Sequence, residues 1–438
     1  SLIMKNIDEK IEALLAWMGN DKSEPLNTSS KSTSHVSEKL EVKDVAGSGR
    51  GLYAKASIMR NERLIRILPS YLLNFSTVLA HILKHNPATS LPTSVPHNLY
   101  VPAAKNDAVG GIYSKMSLET LLSLSSFQIV SLFLVLETAR GTDSFWKPFI
   151  DMLPEIEELL LCPLVWKVMK MPQADKLWAM LPRSTRKHSE SVLVRFEKDM
   201  HVVSSLLQDT TFFSTKTFLW AWMCINSRCL YMEVPQAKDA ADNFTMAPYV
   251  DFLNHLSEDQ CGIKIDALGF QVFTSTSYKP GDELYFSYGP HSNEFLLCEY
   301  GFTLGQNKWN YVDITQYLTL LFSAKQTQFL QKKGYYGDYT VNGDGMSFRA
   351  EIALATLQEP EPESSRRLNS FLEGTTDGSV YERQSQILLG RILSKLIADC
   401  NSKLNATHAL GDGTQAQVDA VLSLYRDMKR ICEAAITT

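Results

Sequence analysis

Four short stretches of this chain hold side chains that could bind or react. Ala247–Asp259 reads APYVDFLNHLSED: an apolar run around one carboxylate, Asp251, that begins as a strand would and ends in an amide and an imidazole side by side, Asn254 and His255. Such a pair either satisfies the turn after a strand or forms the floor of a binding site, and for the pair alone the turn is the simpler reading. Asp282–Phe302, DELYFSYGPHSNEFLLCEYGF, sets Tyr285, Tyr288 and Tyr300 around two Tyr-Gly dipeptides. A buried phenol needs a hydrogen-bond partner, so this dense supply suits a core or a site alike. Ala46–Ala54, AGSGRGLYA, carries Gly47, Gly49 and Gly51, which permit a close approach of backbone to ligand. It is no P-loop, since no Gly-Lys-Ser/Thr follows, and no dinucleotide fingerprint, since the spacing is G-x-G-x-G without the right helix. Taken alone, the stretch is more simply read as a plain β-turn. Trp220–Met232, WAWMCINSRCLYM, would put Trp220, Met223, Cys224, Ser227 and Tyr231 near one helix face, flanked by Asn226 and Arg228. An arginine among so much apolar surface needs a carboxylate partner or a function.

These stretches need a scaffold to bring them together. Periodicity predicts a helix over about 6–18, then a polar Ser/Thr-rich linker. Short β-like runs broken by glycine follow from about 41 to 75, and a mainly helical block over about 76–232. Within it, SLETLLSLSSFQIVSLFLVLETARG reads as one helix with a glycine stop at Gly141. Residues 247–290 return to strands, with GIKID, GFQVFTS and DELYFSYG as candidates and HSNEFLLCEY opening a helix. Beyond about 315 the pattern is helical, interrupted by KKGYYGDYTVNGDGMS and by EPEPESSRR, a solvent loop. In the last long helices Ile387, Leu388, Ile392 and Leu396 mark a packed face. Neither β region alone can bury a face. The two are therefore expected to form one unit, with the helical block as an insertion.

Composition sets outer limits. A chain of 438 residues with 45% hydrophobic content can build a sizeable core in two or three domains. A net charge of −5 gives no basic field for nucleic acid, and no apolar run is long enough to suggest a membrane span. The amphipathic start does not resemble a secretory signal. Cys162, Cys224, Cys229, Cys261, Cys298, Cys400 and Cys432 are scattered without C-x-x-C, which speaks against a zinc site or disulfide framework and for reduced thiols in cytoplasm or nucleus.

Taken in order, Gly-x-Gly-Arg-Gly-Leu, Asn-x-Arg on a helix, Asp-x-x-Asn-His, Tyr-Gly-Pro-His-x-Asn and Glu-Tyr-Gly-Phe resemble the SET-domain protein-lysine methyltransferases. More narrowly they resemble the class typified by the plant Rubisco large-subunit methyltransferase. RGTDSFWKPFIDMLP, Arg140–Pro154, fits the insertion of that class, and the resemblance runs over residues 8–435 or so. It implies an α+β fold: a small twisted β SET core closed by a pseudoknot, a large helical insertion and a helical C-terminal domain of substrate-binding type. The implied boundaries are an N-terminal helix and linker over 1–40, a SET core from 41–75 and 233–305, the insertion over 76–232 and the C-terminal domain over 306–438. The resemblance also implies S-adenosylmethionine as cofactor, with no metal. Ser48, Gly49, Arg50, Asn254, His255 and Phe302 match cofactor-binding positions. Ser227, Arg228, Asp251 and Tyr300 match positions on the substrate side, and Tyr288 the catalytic tyrosine. Ser48 and Arg50 replace an acid and an aliphatic residue of the class type, so backbone contacts carry over there and side-chain contacts do not follow.

The implied reaction is in-line transfer of a methyl group from a sulfonium to a neutral amine. Holding a lysine neutral at pH 7 costs roughly 4.6 kcal/mol against its ordinary pKa, so the site must desolvate the ammonium and set a positive charge near it. The target is expected to be an exposed lysine of a non-histone protein, ribosomal or translational, met by a cytoplasmic or nuclear monomer that binds neither nucleic acid nor membrane. Histone tails as targets, a SET fold that binds without chemistry, and an unrelated helical enzyme are the alternatives on residues alone.

Overall fold

The β regions on either side of the helical block pair with each other. The computed structural model describes residues 2–20, 33–46, 49–86, 106–207, 211–234, 242–258, 261–406 and 414–437. Before the block lie His35–Val36 (β1), Leu40–Val45 (β2), Gly49–Ala54 (β3) and Arg63–Ile67 (β4). At its end come Leu230–Tyr231 (β5) and Phe244–Thr245 (β6), then Asn254–His255 (β7), Cys261–Asp266 (β8), Gly269–Thr274 (β9) and Glu283–Phe286 (β10). One sheet has the order β1-β4-β9-β8 and a second β2-β3-β10-β7, while β5 and β6 form a ladder of their own. Most of these pairs are antiparallel, but β7 and β10 run parallel. The expected bracketing of a helical insertion by one β unit is what the chain adopts.

Several segments fold otherwise than the pattern predicted. The run before Asn254 is no strand. Val250–Phe252 is a 3-10 turn entered through Tyr249 at φ 70°, and its backbone groups are satisfied locally, Phe252 N–H on Tyr249 O at 3.1 Å and Leu253 N–H on Val250 O at 3.0 Å. An apolar run this short reads the same whether it is a buried turn or a buried strand. The long leucine-rich helix is two, Leu118–Leu122 and Ser126–Arg140. Ser125 breaks it, forming with Gln128 a reciprocal cap that satisfies two otherwise orphaned backbone donors. The helix beginning at Thr215 ends at Arg228, so Tyr231 lies on β5 and not on the helical face. Toward the C-terminus, Tyr311–Asp313, Thr340–Asn342 and Gly345–Met346 form a three-stranded sheet where only a glycine-rich interruption of helices was expected. Its hairpin turns through Gly343 and Asp344, between the paired Asn342 and Gly345, and the positive φ falls on Gly345, at 121°.

The chain divides into two compact units, one of Ser1–Lys170, Glu190–Pro290 and Glu299–Gly301, the other of Met171–Ser189, His291–Cys298 and Phe302–Thr438. In the second, the helices Ser379–Asn405 and Gln415–Thr437 bury Leu389, Ile392, Leu393, Leu396 and Cys432 against Val341 and Leu354. Ile392 and Leu396 thus face the core as expected and Leu388 packs at its margin, but Ile387 is 43% exposed, one step off the buried stripe. No helix among the described residues is long and apolar enough to cross a membrane.

In the first unit the insertion is built around the helix Ser126–Arg140, which packs on Thr215–Arg228. Near its C-terminal end the buried Glu137 accepts hydrogen bonds from Tyr113 Oη and Ser144 Oγ, both at 2.9 Å, and faces Arg140 at 3.1 Å. Burial raises the Glu137 carboxyl, and Arg140 with the two hydroxyls pulls it back down. Removing one member of such a buried set strands the others. Glu137→Ala is expected to lower unfolding free energy by about 3 kcal/mol, read as a drop in the thermal or urea midpoint; an unchanged midpoint would show that the network holds nothing in place.

Candidate active site

The parallel register Tyr285↔Asn254 and Phe286↔His255 carries the chain beyond β10 directly past His255. There Tyr288 N–H donates to His255 Nδ1 at 2.9 Å. With Nδ1 accepting, the neutral imidazole carries its proton on Nε2. The two rings stack, 5.0 Å between centroids and 29° between planes. The Tyr288 hydroxyl donates to Leu253 O at 2.7 Å, so the turn before Asn254 fixes the direction of the phenol. Tyr300 also stacks on the Tyr288 ring at 5.1 Å, and Phe286 meets it edge-on at 4.9 Å. Burial pushes the Tyr288 phenol up to about 12 and raises Tyr300 as well. At neutral pH both are intact phenols, able to orient a partner and unable to act as strong bases.

Asn254 ties this corner to the glycine-rich strand. Its amide nitrogen donates to Arg50 O at 2.9 Å and to Glu283 Oε2 at 3.0 Å. Gly51 leaves the room: a Cβ there would come within 3.0 Å of that amide and 3.1 Å of the Glu283 carboxylate. Gly49 has φ +71° with open space around it, so conformation and not crowding requires glycine. The Arg50 guanidinium turns toward the insertion, with Nη2 3.1 Å from each Glu158 oxygen and Nη1 3.4 Å from Met152 O. Ser48 lies outside the described residues.

Ser227, Arg228, Asp251, Tyr288 and Tyr300 come together on one cavity of about 590 Å³. That volume is ordinary for a small-molecule or side-chain site. The Ser227 hydroxyl donates back to Met223 O at 2.7 Å on its own helix. Arg228 Nη1 donates at 2.8 Å to the backbone carbonyl of Asp251, and the carboxylate itself stands 3.9 Å off. Arg228 and Asp251 therefore make a loose charge contact, with the hydrogen bond made to backbone. Burial raises the Asp251 carboxyl, opposed first by Arg228 and then by Arg50. Its Oδ2 is buried and accepts no hydrogen bond among the described residues. Phe302 belongs to the second unit.

Sequence reading missed what holds Tyr300. Its neighbour Glu299 receives Arg195 Nη1 at 3.0 Å and Asn226 Nδ2 at 2.7 Å, while Arg195 Nη2 reaches Asn226 Oδ1 at 3.1 Å. Asn226 was visible as a polar residue beside Ser227 and Arg228, but nothing local names a partner 73 positions away. Glu158 and Glu283 were missed for the same reason.

A SET domain model matches residues 49–289, and a model of the ribosomal lysine N-methyltransferase 2 C-terminal domain matches 310–438. Ribosomal lysine N-methyltransferase 2 of Saccharomyces cerevisiae is 29% identical over 454 residues, covering 91% of this chain and 92% of that protein. SET domain-containing protein 4 of Homo sapiens is 25% identical over 414 residues, 90% of this chain and 85% of that protein. Among solved structures, the SET domain of LSMT bound to lysine and AdoHcy superposes with a TM-score of 0.58 at 15% identity, covering 98% of this chain and 90% of that one. Rubisco LSMT bound to AdoMet does so at 0.52 and 15%, covering 98% and 91%. At such identity the structures speak for the fold: the β core, helical insertion and helical C-terminal region form a SET-type architecture.

The raised Asp251 carboxyl has a consequence for stability. An acid that holds its proton more tightly when folded favours the folded state less as pH rises from its unfolded value, about 3.9, through its folded one. Asp251→Asn removes that dependence. Its stability relative to wild type is expected to rise between pH 4.5 and 7.5, measured by urea titration; a pH-independent difference would mean that Asp251 is not perturbed.

Proposed function

Because the chain belongs to the SET-domain family, we propose that Tyr288, the Asn254–His255 corner and the aromatic cavity form the active site of its reaction. The protein is an S-adenosylmethionine-dependent protein-lysine N-methyltransferase. The observation that carries the site assignment is the His255–Tyr288 backbone hydrogen bond at 2.9 Å. It joins a glycine-rich strand with an amide on one side to a cavity lined by phenols and a buried carboxylate on the other.

The residues present fit the cofactor. An orphaned buried acceptor, Asp251 Oδ2, suits a positively charged guest. A strand start with a positive-φ glycine and an Asn-braced backbone suits an adenosyl and amino-acid moiety. Gly49, the Arg50 backbone, Asn254 and His255 would hold it. When bound, S-adenosylmethionine supplies a methyl group made electrophilic by its sulfonium.

The chain's own residues then prepare the amine. Phe286, Tyr288 and Tyr300 surround the lysine side chain with ring surface, and desolvation there disfavours the ammonium. The Tyr288 hydroxyl already donates a hydrogen bond to Leu253 O. Its oxygen lone pairs remain to accept an amine N–H, which turns the nitrogen lone pair away from the phenol. Ser227 and Arg228 border the path of the lysine stem. No general base is needed at the moment of transfer; the amine enters neutral, its proton left to solvent.

The target class is proposed to be a ribosomal or translational protein. That is supported by the name of the yeast relative, which spans nearly the whole chain, and by the C-terminal family match. A cytoplasmic monomer that does not bind nucleic acid directly goes with this reading.

Tyr288→Phe is expected to lower methyl transfer by at least about 100-fold while cofactor affinity changes by less than about 2-fold, compared by labelled-methyl incorporation and calorimetry. Normal turnover would remove the role given to Tyr288. Asn254→Ala should weaken cofactor binding by about 10-fold, the worth of one or two hydrogen bonds; unchanged affinity would contradict the cofactor pocket.

A further inference from the structure

The rim of the cavity carries an unpartnered piece of core. Across β8, β9 and β4, side chains in register share a face. Two rows on that face are apolar from end to end: Ile263, Val272 and Ile65, and then Ile265, Phe270 and Ile67. The inner members belong to the core, none more than 1% exposed. The outer members are not covered, Ile263 at 39% and Ile265 at 42% exposed. Among the described residues β8 is an edge strand, so the sheet's core face runs out to its border and stops bare. On the opposite face Lys264 and Asp266 are held by each other at 3.7 Å.

Both isoleucines line the cavity that holds Tyr288, and so does Tyr231, 67% exposed. One exposed isoleucine needs no explanation. Three large apolar side chains around one opening mark a surface that a partner covers. The occupant follows from the chemistry inside. A lysine stem is only four carbons long, so a lysine that reaches Tyr288 brings its own backbone and nearest neighbours onto this rim. The charged side chains lining the cavity, Arg228 and Asp251, face each other at 3.9 Å and offer no net charge to a basic or acidic flank.

We propose that Tyr231, Ile263 and Ile265 form an apolar rim that selects lysines whose immediate neighbours are aliphatic or aromatic. This rests on the lysine methyltransferase reading and narrows it. Apolar neighbours complete the bare face of the sheet, whereas charged neighbours lose water against a surface that gives nothing back, which penalises lysine-rich and arginine-rich tails.

The test uses the full chain, labelled S-adenosylmethionine and synthetic peptides of one length with a single lysine flanked on both sides by Leu, Ser, Glu or Arg. The Leu peptide is expected to show at least about 10-fold higher kcat/KM than the Ser peptide, and the Glu and Arg peptides lower still. The paired variant Ile263→Lys with Ile265→Lys should erase the Leu preference and favour the Glu peptide, with cofactor affinity unchanged by calorimetry. Both sites are exposed, so the variant keeps its core. Equal transfer to all four peptides, or a variant with the wild-type order, overturns the rim. If no peptide is labelled, lysines labelled in a cell extract are mapped by mass spectrometry: apolar neighbours support the rim and charged ones overturn it. Absence of label in both assays counts against the methyltransferase reading itself.

Discussion

Two residue pairs of parallel strand govern the site. Register Tyr285↔Asn254 and Phe286↔His255 joins segments about 30 positions apart and turns the end of β10 toward the imidazole. A two-residue strand has no stability of its own. It persists because β10 is also paired with β3, and because Asn254 reaches across to the Arg50 carbonyl and the Glu283 carboxylate. A slip of one residue would invert every side chain, sending His255 and Phe286 to the opposite face.

The polar groups near that joint follow one logic. Three donors there are committed to nearby acceptors: Tyr288 Oη to Leu253 O, Ser227 Oγ to Met223 O, Arg228 to Asp251 O. Such commitments hold the walls in place before any ligand arrives, which is how a site lowers the reorganisation needed during reaction. One departure is Asp251 Oδ2, buried without a hydrogen bond among the described residues. An unmet acceptor is tolerated in a folded protein where a ligand or water completes it.

How much of this was legible in the sequence differs by level. Helices with strong periodicity and the pairing of the two β regions across an insertion could be read. The site could not be assembled from composition or spacing; it came from the order of five weak motifs and their family resemblance. The physical reasons are particular. Tyr249 adopts a positive φ that its own residue type disfavours, so a turn passed for a strand. After the first helix stops at Leu122, Ser125 starts another through a cap that only its partner Gln128 reveals. Glu158 on Arg50 and Glu299 on Asn226 lie 108 and 73 positions from their partners, and no local rule selects one glutamate among many at that range. Ile263 and Ile265 read as ordinary strand residues; only the sheet order shows that their face is left bare.

As proposed, the Asn254–His255 corner and Tyr288 enclose one sulfonium donor. A crystal structure of the protein with S-adenosylhomocysteine tests it most directly. The nucleoside should lie against Asn254 and His255 beside the start of β3, with its sulfur directed into the cavity toward the Tyr288 hydroxyl. Density for the nucleoside elsewhere on the molecule, or a sulfur pointing away from that hydroxyl, would contradict it.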